Sequence, residues 1–449
     1  MKLRLLGALA LGLATICTPA VAAVNPTVDY AYHATGTPTI AEYGEVASSD
    51  YWLAKADYSV ILDDAAKLQL NRQILGKYDT YNLDTLPEVL TKTQVQDLIR
   101  KAAEGLFEDP PYGSIYEGRP LTATKWQELV ANASRVSELN PTAWAVTTAK
   151  VAVRLLPTSS GIYDDGSEIA THYDALQGTS LDPGEPVVVV AMSADQKFAL
   201  VFSRSYLGWV EDNALGYTDA ATWQVFAYPK DYATVTASKV KFSNPDLVYH
   251  MGAALPLAVV EGVELETLPV RQANGSLSLS YSELAPDLAA GVVVRGSLAF
   301  TRANIAEQAF KYLGETYGWG GQDNGVDCSS FAQNVYRSLG VQLPRNADSQ
   351  EHALAGVGQS ISLVGLAETE RLDALRAAPI GSLLFKPGHM LIWLGFDEHN
   401  RPLAIHAASS FYHQGSKIYL RQVVISNLNW LTYSGEKTLN TLTSIGYLD

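Results

Sequence analysis

Cys328 is the residue best placed for nucleophilic chemistry. It sits in Gly325-Val326-Asp327-Cys328-Ser329-Ser330-Phe331. The chain's other cysteine, Cys17, falls in what reads as a cleavable export signal. An exported chain with one remaining thiol cannot form an internal disulfide. That leaves a buried inert thiol, an intermolecular bridge or a nucleophile. The context favours the nucleophile. Asp327 is a good helix N-cap, which places Cys328 in the first turn. Free amides and the positive end of the helix dipole lower a thiol pKa there. A thiolate needs a proton acceptor and donor, and histidine serves at neutral pH. Of eight histidines, two follow at strand positions. His389 opens the run Met390-Leu391-Ile392-Trp393, and His406 lies in Leu403-Ala404-Ile405-His406-Ala407. If these strands pair through a turn at Asp397 to Pro402, both imidazoles reach one sheet edge. His389 would be the base and His406 its orienter. His399 in a polar turn and His413 after Phe411-Tyr412 read as surface or packing residues. No H-E-x-x-H run, G-x-S-x-G elbow or Gly-Lys-Ser/Thr phosphate loop is present. One mature cysteine cannot build a thiolate zinc cage. No metal or cofactor is expected.

The elements that must position these groups lie in a C-terminal unit, 301–449. An amphipathic helix over 304–313 precedes a Gly-rich loop, 314–325, and a second helix starts near Cys328, with Phe331, Val335 and Leu339 at four-residue steps. Strands follow at 382–385, 390–396, 403–407 and 418–424. Helices first and strands afterwards predict an α+β domain. Upstream, short β-type runs at 144–146, 151–153, 186–192, 198–202 and 208–210 predict a small all-β barrel over 138–218. A similar style at 225–227, 257–260, 276–281 and 291–295 predicts a second over 219–300. Residues 23–137 read as a partly helical accessory segment, with helices at 64–75, 92–103 and 124–134 and irregular chain from Tyr30 to Tyr51.

Residues 1–22 carry Lys2, Arg4, an apolar run from Leu5 to Ile16 and Ala20-Val21-Ala22, the pattern of a secretory signal. Lipidation at Cys17 is the alternative, with Ile16 a poor fit before it. No later stretch reaches about 18 uninterrupted apolar residues, so no integral membrane segment is expected in the mature chain. A 47% apolar and 18% charged composition indicates folded protein. A net charge of −15 argues against nucleic acid and anionic membrane surfaces as partners. The chain is expected to act as a monomer outside the cytoplasm, periplasmic or extracellular.

Several ordered phrases extend the picture. Tyr317-Gly318-Trp319-Gly320-Gly321, Asp327-Cys328-Ser329-Ser330-Phe331, Leu343-Pro344-Arg345-Asn346-Ala347 with Gln350, Gly381-Ser382-Leu383-Leu384-Phe385 and Gly388-His389-Met390 together resemble the core of NlpC/P60 cysteine peptidases over about 301–430. The resemblance implies a papain-like domain with Cys328, His389 and His406 as its catalytic residues. Arg154-Leu155-Leu156-Pro157-Thr158, Tyr173-Asp174-Ala175-Leu176-Gln177, Gly184-Glu185-Pro186-Val187 and Gly208-Trp209-Val210 resemble a bacterial SH3 domain. The layout looks like the subgroup with an N-terminal clip segment and two SH3 domains. For that subgroup, resemblance implies cleavage of peptidoglycan stem peptides between D-γ-glutamate and a diamino acid, with a free N-terminal L-alanine preferred. Asp327 matches the family's amine-binding acid, and Ser329 and Tyr317 match neighbouring contacts. Tyr206 is the expected contact from the SH3 side. The rival expectations are a cell-wall-peptide-binding protein with a weak or inactive peptidase domain, and a hydrolase of intact peptidoglycan.

Overall fold

The structure, a computed structural model, describes residues 44–243, 246–413 and 415–449. The segment expected as an export signal, Cys17 and residues 30–43 lie outside the described residues. Residues 44–53, the end of the stretch read as irregular, instead form a 3-10 turn and a short helix, Ser49–Leu53. Trp52 on that helix is wholly buried, and burying one indole gives an otherwise polar segment a fixed seat.

Three helices follow: α1 (Asp64–Ile74), α2 (Lys92–Ala102) and α3 (Ala123–Ser134). Asp63, Thr91 and Thr122 cap them by accepting from backbone amides of the first turn. The first β domain is a seven-stranded antiparallel sheet. Its strands are β1 (Ala143–Thr147), β2 (Val151–Arg154), β3 (Gln177–Leu181), β4 (Pro186–Met192), β5 (Phe198–Phe202), β6 (Leu207–Glu211) and β7 (Leu215–Tyr217), in spatial order β7-β1-β4-β5-β6-β2-β3. β4 is apolar throughout because both its faces are covered. Val187 and Val189 enter the domain's own core, while Val188 and Val190 face out. α2 and α3 cover that outer face with Val95, Ile99, Trp126 and Leu129.

The 225–227 run, expected as a strand, lies in a helix, α4 (Ala220–Ala227). Asp219 caps it through the Thr222 amide, and Trp223 Nε1 donates to the Val187 carbonyl at 3.1 Å. A short apolar run fits either element, and the capping acid with the docking surface decides for helix. The second β domain holds β8 (Tyr232–Val235), a hairpin of β9 (Lys239–Ser243) and β10 (Asp246–His250), then β11 (Ala254–Val260), β12 (Val263–Arg271), β13 (Leu277–Glu283) and β14 (Val293–Arg295). Five of these pair antiparallel in the order β13-β12-β11-β8-β14.

The C-terminal unit opens with α5 (Arg302–Phe310), α6 (Cys328–Ser338) and α7 (Ala347–Val357). A six-stranded antiparallel sheet follows, made of β15 (Gln359–Ser362), β16 (Leu383–Lys386), β17 (His389–Phe396), β18 (Pro402–His413), β19 (Ser416–Asn427) and β20 (Ser444–Tyr447). Its order is β15-β20-β16-β17-β18-β19. α6 packs Phe331, Val335 and Leu339 onto the sheet residues Met390, Ile392 and Ile405 in one buried cluster. That seat fixes the helix start against the edge carrying the histidines. α1 joins the same cluster through Leu70 and Ile74, and Asn71 Nδ2 donates to the Gly340 carbonyl at 2.9 Å. The N-terminal segment therefore grips both the first β domain and the C-terminal unit.

Candidate active site

Asp327 caps α6, accepting from the Ser330 amide at 2.9 Å while the Ser330 hydroxyl accepts from its amide. Cys328 is thus the first helical residue, partly exposed at the floor of a cleft of about 920 Å³. β17 and β18 pair antiparallel with Ile392 opposite Ile405. Period-two alternation then puts His389 and His406 together on the opposite face. His389 Nε2 lies 2.7 Å from His406 Nδ1, and His406 Nε2 lies 2.8 Å from the Ser426 hydroxyl on β19. Cys328, His389 and His406 all line the one cleft.

The protonation states follow from this chain of contacts. Burial, then the Lys386 ammonium, depresses the His389 pKa to about 3. Burial and the neighbouring His389 hold His406 well below its usual range. Both imidazoles are therefore neutral, and one proton lies between them. If Ser426 accepts from His406 Nε2–H, His406 Nδ1 is bare and accepts from His389 Nε2–H. His389 Nδ1 is then unprotonated, the form a base requires. Cys328 departs from the expected acidification. Burial first, then the Asp327 carboxylate, pushes its thiol up to about 12, against the pull of the Met390 and Ser329 amides. Both shifts, the thiol raised and the imidazole lowered, run against a preformed ion pair.

Asp327 is more heavily engaged than a simple cap. Arg345 grips it bidentately, Nη1 to Oδ1 at 3.1 Å and Nη2 to Oδ2 at 2.6 Å. The Gly320 amide and the Ser329 hydroxyl also donate to it, at 3.1 and 3.3 Å. Burial opposes its ionisation, yet Arg345 holds its pKa below the usual carboxylate range. In the sequence, Arg345 stands out only as part of the phrase Leu343-Pro344-Arg345-Asn346-Ala347. Its local signal is a lone cation in the loop seven residues past the end of α6 at Ser338, too common a pattern to assign a role. Ser426 and Lys386 gave no sequence signal either.

The first β domain supplies one cleft wall. Gln177 Nε2 donates to the Gly320 carbonyl at 2.8 Å, and Arg345 Nε donates to Thr179 Oγ1 at 2.6 Å. Gly320 and Gly321 have φ of 55° and 84°. A Cβ on Gly320 would stand 2.7 Å from Gln177 Cγ, and one on Gly321 would stand 2.1 Å from Ser180 Oγ. Those glycines let the loop lie flat on β3. Tyr206 packs over Gly178 and lines the cleft with Tyr317. Burial raises both phenol pKa values, and the Asp327 carboxylate adds to the rise. All seven residues singled out from sequence thus meet at one cleft. Among the described residues, no group of three His, Cys, Asp or Glu side chains stands ready to hold a metal ion. No helix there is long and apolar enough to cross a membrane.

Residues 314–420 match the model of the NlpC/P60 family. The C-terminal unit is an NlpC/P60 domain. Residues 166–211 match the SH3 domain of SH3b1 type, which places that fold in the first β domain. The chain is 34% identical over 74 residues to the bifunctional muramidase/DL-endopeptidase CwlT of Bacillus subtilis (strain 168), covering 16% of this chain and 22% of that protein. It is 30% identical over 108 residues to dipeptidyl-peptidase 6 of Lysinibacillus sphaericus, covering 24% and 32%. The matches therefore span less than a third of either relative. A solved structure described as a novel NlpC/P60 endopeptidase from Photobacterium damselae subsp. piscicida shares the fold. Its TM-score is 0.70 at 19% identity, over 94% of this chain and 97% of that one.

Proposed function

We propose that this protein is an exported cysteine endopeptidase that hydrolyses the D-γ-glutamyl–diamino acid bond of peptidoglycan stem peptides, preferring those with a free N-terminal L-alanine. The observation that carries the reading is the hydrogen-bonded line His389–His406–Ser426 in the cleft of Cys328, inside an NlpC/P60 domain. Cys328 attacks the γ-carbonyl as His389 Nδ1 takes the thiol proton, so attack and deprotonation are coupled. The tetrahedral oxyanion faces the Cys328 amide at the helix start. His389 then returns the proton to the departing diamino acid amine. Water, deprotonated by the same imidazole, hydrolyses the thioester and frees the glutamyl carboxylate.

Tyr206 and Gln177 of the first β domain line one side of the cleft, and a wall on that side would favour short free peptides over glycan-linked ones. The names of the two curated relatives, a bifunctional muramidase/DL-endopeptidase and a dipeptidyl-peptidase, are those of enzymes that cut peptide bonds. Asp327, Ser329, Tyr317 and Tyr206 cluster where the alanine amine would sit. Asp327 already meets five donor contacts, so the amine joins an occupied carboxylate rather than a bare one. Digestion of a stem-peptide panel, with and without glycan, read by mass spectrometry, tests the reading. Cleavage between D-glutamate and the diamino acid in free peptides is expected, strongly weakened by acetylating the alanine amine. Equal cleavage of acetylated peptide would reject the amine preference, and binding without turnover would reject the enzyme.

A further inference from the structure

Lys386 is a cation beside the nucleophile for which the proposed chemistry has no task. β16 ends on it and β17 begins at His389, joined by Pro387-Gly388 with Gly388 at φ 71°. The register sets Lys386 directly opposite His389. Directly opposed residues send their side chains to the same face, with Cβ atoms about 4.5–5.5 Å apart. Phe385, the residue before it, takes the other face and is buried. Lys386 therefore points where His389 points, and both line the cleft with Cys328.

Its charge is uncompensated. Among the described residues no carboxylate or carbonyl meets the ammonium. Of the cleft carboxylates, Asp327 is held by Arg345, Glu351 accepts from the Thr443 and Ser444 hydroxyls, and neither these two nor Asp348 pairs with Lys386 among the described residues. Partial burial lowers the Lys386 pKa, and only the Cys328 thiol opposes that. A half-buried ammonium without a partner is unfavourable until an anion arrives. The anion is not the resting thiol, which is neutral.

We infer that Lys386 forms a carboxylate subsite next to the scissile bond, reading a free carboxylate of the substrate. The inference rests on the peptide-substrate reading above. A γ-linked glutamyl residue carries its free α-carboxylate a short side chain away from the carbonyl under attack, and the diamino acid carries another on the leaving side. Both sit next to the bond under attack, the side of the cleft that Lys386 lines with Cys328 and His389.

The experiment compares wild type, Lys386→Met and Lys386→Arg on three peptides: the free acid, the form amidated at the glutamyl α-carboxyl, and the form amidated at the diamino acid carboxyl. In wild type, amidating the carboxylate that Lys386 reads should lower kcat/KM about tenfold or more. Lys386→Met should shrink that discrimination to about threefold or less, and Lys386→Arg should keep most of it. Undiminished discrimination against both amides in Lys386→Met overturns the inference. So does an equal loss on all three peptides, which would assign Lys386 to the developing thiolate instead. A substrate-free arm separates this from the choice of peptide. Cys328 is alkylated with anionic iodoacetate and with neutral iodoacetamide. The iodoacetate to iodoacetamide rate ratio should fall about tenfold in Lys386→Met. An unchanged ratio sinks the subsite whatever peptides are cut. A fallen ratio with no stem peptide cleaved upholds the anion site and rejects the substrate.

Discussion

At the scale of the residue, the site is a line of neutral groups rather than a stored ion pair. Cys328→Ala should abolish turnover of stem peptides, measured by mass spectrometry of products. His389→Ala should lower kcat by about 10²–10⁴-fold, the usual range for losing a positioned base. Protonation of His389 removes that base, and its pKa is depressed to about 3. The kcat/KM profile should therefore stay level through pH 5 to 8 and fall only at lower pH. An acid limb centred near pH 6.5 would contradict the dry, Lys386-flanked imidazole. The raised thiol pKa predicts iodoacetamide labelling of Cys328 at pH 7 slower than that of a free cysteine, climbing as pH rises past 9. Ser426→Ala removes the acceptor that sets the His406 tautomer. It should lower kcat by about tenfold with KM little changed, and Ser426→Thr should restore it.

Elements carry these residues into register, and the Gly-rich loop does so under the tightest constraint. Gly320 must hold a left-handed backbone, lie against Gln177, and offer its amide to Asp327. Gly320→Ala adds about 1–2 kcal/mol of backbone strain and forces Gln177 to move. A lowered Tm with a raised KM is expected, because the first β domain would seat less closely on the cleft. An unchanged KM would separate that seat from substrate binding. Arg345 works across the same joint, linking the cap of α6 to Thr179 on β3. The helix that starts at Cys328 and the cleft wall on β3 therefore share one guanidinium.

The whole molecule joins its parts through buried polar groups as well as apolar cores. Arg337 pairs with Glu185 at 2.5 Å, and His250 with Asp182 at 2.8 Å, tying α6 and the second β domain to the first. Glu266 in β12 is buried beside Asp287, and only a protonated Glu266 can donate to that carboxylate. Burial, then Asp287, raises its pKa to about 8. The folded state thus holds a proton that the unfolded chain releases above about pH 4.5. Its stabilising share is full below that pH and lost as pH rises through about 8. Glu266→Gln should raise stability at pH 8 by on the order of 2 kcal/mol and flatten Tm between pH 4.5 and 8. A calorimetric pH series checks this, and an unaltered slope would show the charge to be solvated.

Much of this protein was legible in its residues, for identifiable reasons. Local rules sufficed where one neighbour decides the outcome. Asp327 caps a helix that begins at Cys328, β4 reads apolar because it is covered twice, and the antiparallel pairing of β17 with β18 needed only the turn between them. Sequence also placed Cys328, His389 and His406 in one constellation, since their order and phrases are specific. Where two surfaces compete, sequence was silent or misleading. The run at Val225 became α4 because Trp223 docks on Val187. The thiol that a helix start should acidify is raised instead, because desolvation and a carboxylate next door outweigh the Met390 and Ser329 amides and Arg345. Arg345, Ser426 and Lys386 acquire meaning only beside partners 18, 20 and 3 residues away in the chain. Helix starts and strand periods are set by near neighbours, whereas charge, dryness and the shape of the cleft depend on which distant surfaces meet. Only the tertiary structure decides that.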